Sequence, residues 1–505
     1  MTLPGMTETN RRWWVLATMA GSLSMIMIDQ TVVSVALPTM HRDLQLSSTG
    51  AQWVVNVYML LLAMLVVVGG RLGDLFGAER MFRIGVGLFV GASAACGLAH
   101  GEIGIIAARG LQGVGAAMMV PATGAILINA FEPRERGRAM GIYAGSSMVF
   151  LAIGPLVGGV LTQGLSWRAV FFINLPIGLL TLAVAHLTIP HSKASRVRTG
   201  SFDWRGGMAL IIALGSLVLA MMQGQVWGWT SRGTLGLFGL AALAAAALVW
   251  YETRIEEPLI SPALLRKGNF AIDNVVLAAT QFALVGVSVF GAIWVQTVLG
   301  FGPILAGLSL LPLTVTLLLT APRAGRLYDR RGPRALLVGG TLLMGASLAW
   351  LGIVLHKLSY PWLLPGYVGI GLALGLVISP ASTDALNAAA PQERGEASGL
   401  TQMTRQLGGS IGLAVLGAIL AGTHAGSGAP AGRSATTTGT ADGYLVAAGL
   451  MVVIAIIAVV ASRRSSASDA RPAAGALKPA REISLASPQH PVVESSLSGA
   501  VGSAR

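Results

Sequence analysis

A chain of 505 residues that is 54% apolar and only 11% charged lacks the makeup of a water-soluble domain, where about a quarter of residues are charged. Its net charge of +13 invites a nucleic-acid reading, but the basic residues are scattered over short loops instead of forming one face, which excludes it. The single cysteine, Cys96, excludes an intramolecular disulfide, and one Cys with few His leaves no metal-ligand cluster.

A helix needs about 20 mostly apolar residues to cross a bilayer, and about fourteen stretches meet that requirement. The first, 13–37, follows Arg11 and Arg12 as a signal peptide would, but it is too long and holds Asp29, so a retained membrane helix is expected. Five more lie at 50–69, 82–99, 103–130, 138–163 and 169–189, and a pair at 206–226 and 233–251. The last six are 270–299, 303–322, 335–356, 361–389, 396–421 and 443–462. With the N-terminus inside, the outer side holds only Arg42, Arg168, Arg232, Lys357 and Arg433, while the inner loops carry most of the 34 Lys and Arg. The positive-inside rule then places both termini in the cytoplasm. The Gly, Ala, Ser and Thr around 423–442 predict a flexible outer loop, and the low-complexity tail 465–505 predicts disorder.

Two segments recur. "GRLGDLFG" at 70–77 is answered by "GRLYDRRG" at 325–332, and "PRERGRAMGI" at 133–142 by "PQERGEASGL" at 391–400, with offsets of 255 and 258. Two echoes at nearly one offset predict an all-α integral membrane protein of two pseudo-symmetric six-helix bundles with two inserted central helices. The expected divisions are 1–190, the insert at 191–269, 270–464, and the tail at 465–505. Parallel halves of this kind are a transporter design, with substrate bound between them near the midplane.

With these repeats, "GRLGDLFG" between the second and third stretches resembles the major facilitator superfamily. The central insert and "IDQTVVSVALP" in the first stretch are similar to the fourteen-span drug/proton antiporters of the EmrB/QacA type. "WVVNVYML" at 53–60, "RGLQGVGAA" at 109–117, "GPLVGG" at 154–159, "WRAVFFINLPIG" at 167–178 and "TRQLGGSIG" at 404–412 fit that pattern in order.

Asp29 is the first residue to explain. A carboxylate near the bilayer centre costs roughly 2.5–3.5 kcal/mol on insertion scales, and Asp29 lies about 13 Å along a helix from Pro38. Thr31 or Ser34 could satisfy it. The resemblance instead implies a proton-coupling acid, which binds either a proton or a cationic substrate because desolvation penalises its charged form. In the loop after the second stretch, Gly70 allows close helix approach, Gly77 a tight turn, and Asp74 can accept from free N–H groups at a neighbouring helix start. Such a latch would hold the cytoplasmic side shut. The family motif's basic positions are Leu75 and Ala78 here, with Arg80 remaining. The second copy, Gly325, Asp329, Arg330 and Gly332, is more basic.

Arg109 and Gln112 stand one turn apart in the fourth stretch. Arg109 should face a partner or a polar cavity, or snorkel outward. In the fifth, Gly141, Gly154, Pro155, Gly158 and Gly159 resemble the antiporter motif, whose small residues let helices touch, although Phe150 replaces a usual small residue. Asp384 is either interfacial or a second acid of the cavity, and Asp273 reads as a charge at a helix start. Tyr58, Gln112, Tyr143, Phe150 and Trp294 could line a cavity, although the aromatics could equally belong to the interface belt.

The resemblance implies an exporter of hydrophobic, cationic drugs or toxic compounds in exchange for protons, in a bacterial cell membrane. Its partners are then the bilayer, protons, a small-molecule substrate and accessory export proteins. A dedicated exporter of an endogenous metabolite or antibiotic is the alternative. A non-transporting sensor would carry a folded output domain, and a symporter would lack the motif of the fifth stretch. No cofactor is expected: no Walker-type loop or clustered catalytic set appears, so an enzyme or ATP-driven pump is disfavoured and the proton gradient is left as the energy source.

Overall fold

The computed structural model describes residues 8–189, 203–255, 260–426 and 433–469, and among them no strand occurs. This is the solution lipid imposes, since a helix satisfies its backbone groups internally where no water can. Fourteen helices of fifteen residues or more run in order. They are α1 (Glu8–Asp43), α2 (Ser48–Phe76), α3 (Ala78–Gly97), α4 (Glu102–Ala130), α5 (Arg136–Gly164), α6 (Asn174–Thr188) and α7 (Trp204–Trp227). Then come α8 (Arg232–Glu252), α9 (Gly268–Thr297), α10 (Leu311–Arg331), α11 (Arg334–Val354), α12 (Leu364–Ala388), α13 (Arg394–Gly426) and α14 (Arg433–Asp469).

Twelve of the described helical segments are long and apolar enough to cross a membrane by length and composition. The long helices outside that set, α3 and α5, both begin with charged residues (Glu79, Arg80 and Arg83; Arg136 and Arg138). The chain is therefore a multi-pass membrane protein. Turn chemistry separates the helices where the sequence provides it. Ser47 caps α2 by accepting from the Gly50 N–H, Asp203 caps α7, and Ser231 caps α8. Gly77 and Gly332, which end α2 and α10, have φ of 96° and 77°, a region that favours glycine.

One core forms among residues of α9–α14, including Trp294, Tyr367 and Tyr444, and others among α1–α6, around Phe82, Phe89 and Trp167. α7 and α8 pack on each other, and α7 lies on α2 and α13. The halves meet where α5 crosses α10 and α13 crosses α2.

The flexible loop expected at 423–442 is corrected. α14 begins at Arg433, and Thr437 and Thr440 return their hydroxyls to the Arg433 and Thr436 carbonyls, while Thr437 also receives the Trp294 indole N–H at 3.0 Å. Small, weakly apolar residues join the helix because they pack against a core that local composition does not reveal. The expected insert loops at 191–202 and 256–259, residues 427–432 and the tail beyond Asp469 lie outside the described residues. By its contacts the chain divides after Ser465 into Met1–Ser465 and Ser466–Arg505; of the second unit only the end of α14 is described.

Candidate functional site

Asp29 sits inside the N-terminal half, ion-paired to Arg109: Arg109 Nη1 donates to Asp29 Oδ2 at 2.6 Å. The same Nη1 donates to Gln112 Oε1 at 2.7 Å, and Arg109 Nε donates to the Val54 carbonyl at 3.0 Å. The guanidinium lies 4.4 Å from the centre of the Tyr58 ring, a cation–π contact. Asp29 Oδ1 accepts from Gln112 Nε2 at 2.9 Å and Asn174 Nδ2 at 3.4 Å. Ser93 Oγ accepts from Asn174 at 3.0 Å and passes its own proton to the Phe171 carbonyl. Each of Asp29, Tyr58, Ser93, Arg109, Gln112 and Asn174 is at most 1% exposed.

The helices come this close because of glycine. A Cβ on Gly113 would meet the Tyr58 carbonyl, and one on Gly115 the Phe89 backbone, so α4 rests directly on α2 and α3. Thr31 and Ser34 do not satisfy Asp29; they return to the carbonyls of their own helix. Arg109 does not snorkel. Tyr58 and Gln112, expected as cavity lining, are internal members of this cluster, and Trp294 is likewise buried in the C-terminal core.

The two loop motifs form a matched pair of contacts between the halves. Asp74 accepts from the N–H groups of Gly395 at 2.8 Å and Glu396 at 2.7 Å, at the start of α13. Asp329 accepts from Gly137 at 2.9 Å and Arg138 at 3.1 Å, at the start of α5. Each carboxylate thus engages free amides at the positive end of a helix dipole. A Cβ on Gly70 would overlap the Gly395 carbonyl, and one on Gly325 the Gly137 carbonyl, so both crossings are backbone to backbone. The symmetry extends outward: Arg136 donates to Asn387 at 2.7 Å, and Arg394 donates to Asn129. Arg71 pairs with Glu396 at 3.7 Å, both buried, and returns a charge contact to the first copy, where Leu75 and Ala78 are uncharged. Arg80 and Arg330 are exposed.

On α5, Gly141 lies against Ala321 of α10, and Gly154 and Gly158 lie against Thr31 and Val32 of α1. A Cβ on Gly159 would instead meet no described atom within 4 Å. The side chain of Pro155 lies outside the described residues. Phe150 is 37% exposed, and the Tyr143 hydroxyl is hydrogen-bonded to Thr123 at 2.6 Å.

Asp384 accepts from the Tyr328 hydroxyl at 2.9 Å, and Tyr328 in turn accepts from Asn387. Asp273 is not a solvated charge at a helix start: it is 1% exposed, and Asp384 of α12 is its acidic neighbour. Sequence reasoning missed this partner, as it missed Ser93, Asn174, Glu396 and Arg405. Asn174, within "FFINLPIG", was the one polar residue of a strongly apolar run and could have been singled out as Asp29 was.

Residues 19–413 match the model of the Major Facilitator Superfamily. The tetracenomycin C resistance and export protein of Streptomyces glaucescens is 36% identical over 81% of this chain and 76% of its own. The puromycin resistance protein pur8 of Streptomyces alboniger is 34% identical over 91% and 93%. A solved proton:xylose symporter, XylE, superposes with a TM-score of 0.63 at 15% identity, covering 89% of this chain and 95% of that one, a likeness of fold alone. By the extent of the model match and of these relatives, the chain belongs to the Major Facilitator Superfamily.

Proposed function

We propose that the chain is a proton-driven exporter of antibiotic-like compounds, crossing a bacterial cell membrane fourteen times with both termini in the cytoplasm. The observation that carries this reading is the Asp29–Arg109 pair, a membrane-buried acid held by a cation and two amides. The names of the relatives, which are resistance and export proteins, support the cargo class.

Protonation supplies the switch. A proton on Asp29 removes the anion that Arg109 was buried with, and breaking one side of a buried pair costs about 3–5 kcal/mol. α1 and α4 must then repack. α1 is in direct contact with α5 at Gly154 and Gly158, within one turn of Asp29, and the far end of α5 forms the Asp329 latch. A contiguous set of packed helices therefore links the proton site to the closure between the halves.

The resemblance implied a cationic substrate, which Asp29 could have received as a free carboxylate. Arg109 already occupies that position, so the charge of the substrate has to be read from other residues. The test is antibiotic accumulation in a host stripped of its own pumps. Wild type should lower accumulation and lose that effect on adding a protonophore, and Asp29→Asn, present at normal membrane level, should not lower it. Lowered accumulation that survives the protonophore would refute the proton-driven reading.

A further inference from the structure

Among the charges at membrane depth, Arg109 is matched by Asp29 and Arg71 by Glu396, but Arg405 is not matched. Among the described residues no carboxylate stands within ion-pair distance of it. It lies about 16 Å along α13 from Arg394, half-buried, where α13 is held on α9 by Gly408 and Gly412 against the Ala278 and Phe282 backbones. Among the described residues its one hydrogen bond runs from Nη2 to Gln281 Oε1 at 3.4 Å, long for a guanidinium with five donors. α13 packs on α9 of its own half and on α2 and α4 of the other. Parallel halves place a substrate between them.

Most carboxylates at that depth are occupied. Asp29 holds Arg109, Asp384 accepts from Tyr328, Asp74 and Asp329 hold helix starts, and Glu396 accepts from Ser261 besides pairing with Arg71. A cationic substrate would find no acid paired with Arg405, whereas an uncompensated arginine in lipid calls for an anion or a wet cavity. A guanidinium fork matches a carboxylate or ionised phenol geometrically as well as in charge. We propose that Arg405, beside Gln281, anchors the substrate between the halves, and that the substrate is an acidic organic molecule bearing a carboxylate or phenolate. This rests on the exporter reading.

Two dyes on one xanthene skeleton, anionic fluorescein and cationic rhodamine 6G, test it. Inverted membrane vesicles holding wild type, Arg405→Ala or Arg405→Lys, at equal protein levels, are given a pH gradient and the accumulated dye is measured. Wild type should accumulate fluorescein in preference. Arg405→Ala should raise its KM by about tenfold or more, the loss of a charge-assisted bond, and Arg405→Lys should recover part of that. Wild type that carries rhodamine 6G and ignores fluorescein, or Arg405→Ala with an unchanged fluorescein KM, overturns the acidic substrate and leaves export standing. Movement of neither dye overturns the export reading, and this inference with it.

Discussion

Asp29 illustrates what a single residue discloses on its own. A carboxylate in an apolar run cannot be left unexplained, so its importance was legible from position. Its partner was not, because Arg109 lies 80 residues away and meets it only through the approach of α4 to α1. Asp273 was misread for the same reason: closeness to a helix start was visible in the sequence, and closeness to Asp384 on α12 was not. The pairing has a stability consequence that separates structural from functional roles. Asp29→Leu alone should destabilise the protein by about 3–5 kcal/mol, since it leaves Arg109 buried without an anion. Asp29→Leu with Arg109→Met should recover most of that loss, because an apolar pair of similar volume replaces a buried ion pair at little net cost. Thermal unfolding in detergent reads both variants, and the double variant should be stable yet inactive. A double variant no more stable than the single one would show that the pair is not the electrostatic unit described.

At the scale of elements, the two latch motifs were the most readable feature, since Gly77 and Gly332 with Asp74 and Asp329 recur at one offset. The prediction that Asp74 accepts from the start of a neighbouring helix matches the contact with Gly395 and Glu396. What composition could not supply was the buried Arg71–Glu396 pair, whose members come from opposite halves, or the start of α14 at Arg433. Gly325→Val tests the latch directly. Its side chain would strike the Gly137 carbonyl, so the α5–α10 crossing should open. A cysteine placed at Ser379, buried and bonded to the Gly137 carbonyl, should then react with a membrane-impermeant thiol reagent from the cytoplasmic side, in a Cys96→Ala background. Reactivity no higher than with Gly325 intact would contradict the closed crossing.

For the molecule as a whole, the repeat, the run of apolar stretches and the loop charges were enough to reach a pseudo-symmetric membrane bundle. The assignment of roles within it depended on tertiary contacts, and these moved Tyr58, Gln112 and Trp294 inward and left Arg405 with Gln281 alone among the described residues. The central claim is that export is driven by protons through Asp29. Purified protein in liposomes, with a pH gradient as the sole energy source, tests it most directly, with internal pH followed by a trapped dye as an antibiotic substrate is added. Wild type should move protons upon substrate addition, and Asp29→Asn of equal incorporation should move none. Substrate-driven proton movement of equal size in Asp29→Asn would contradict the account.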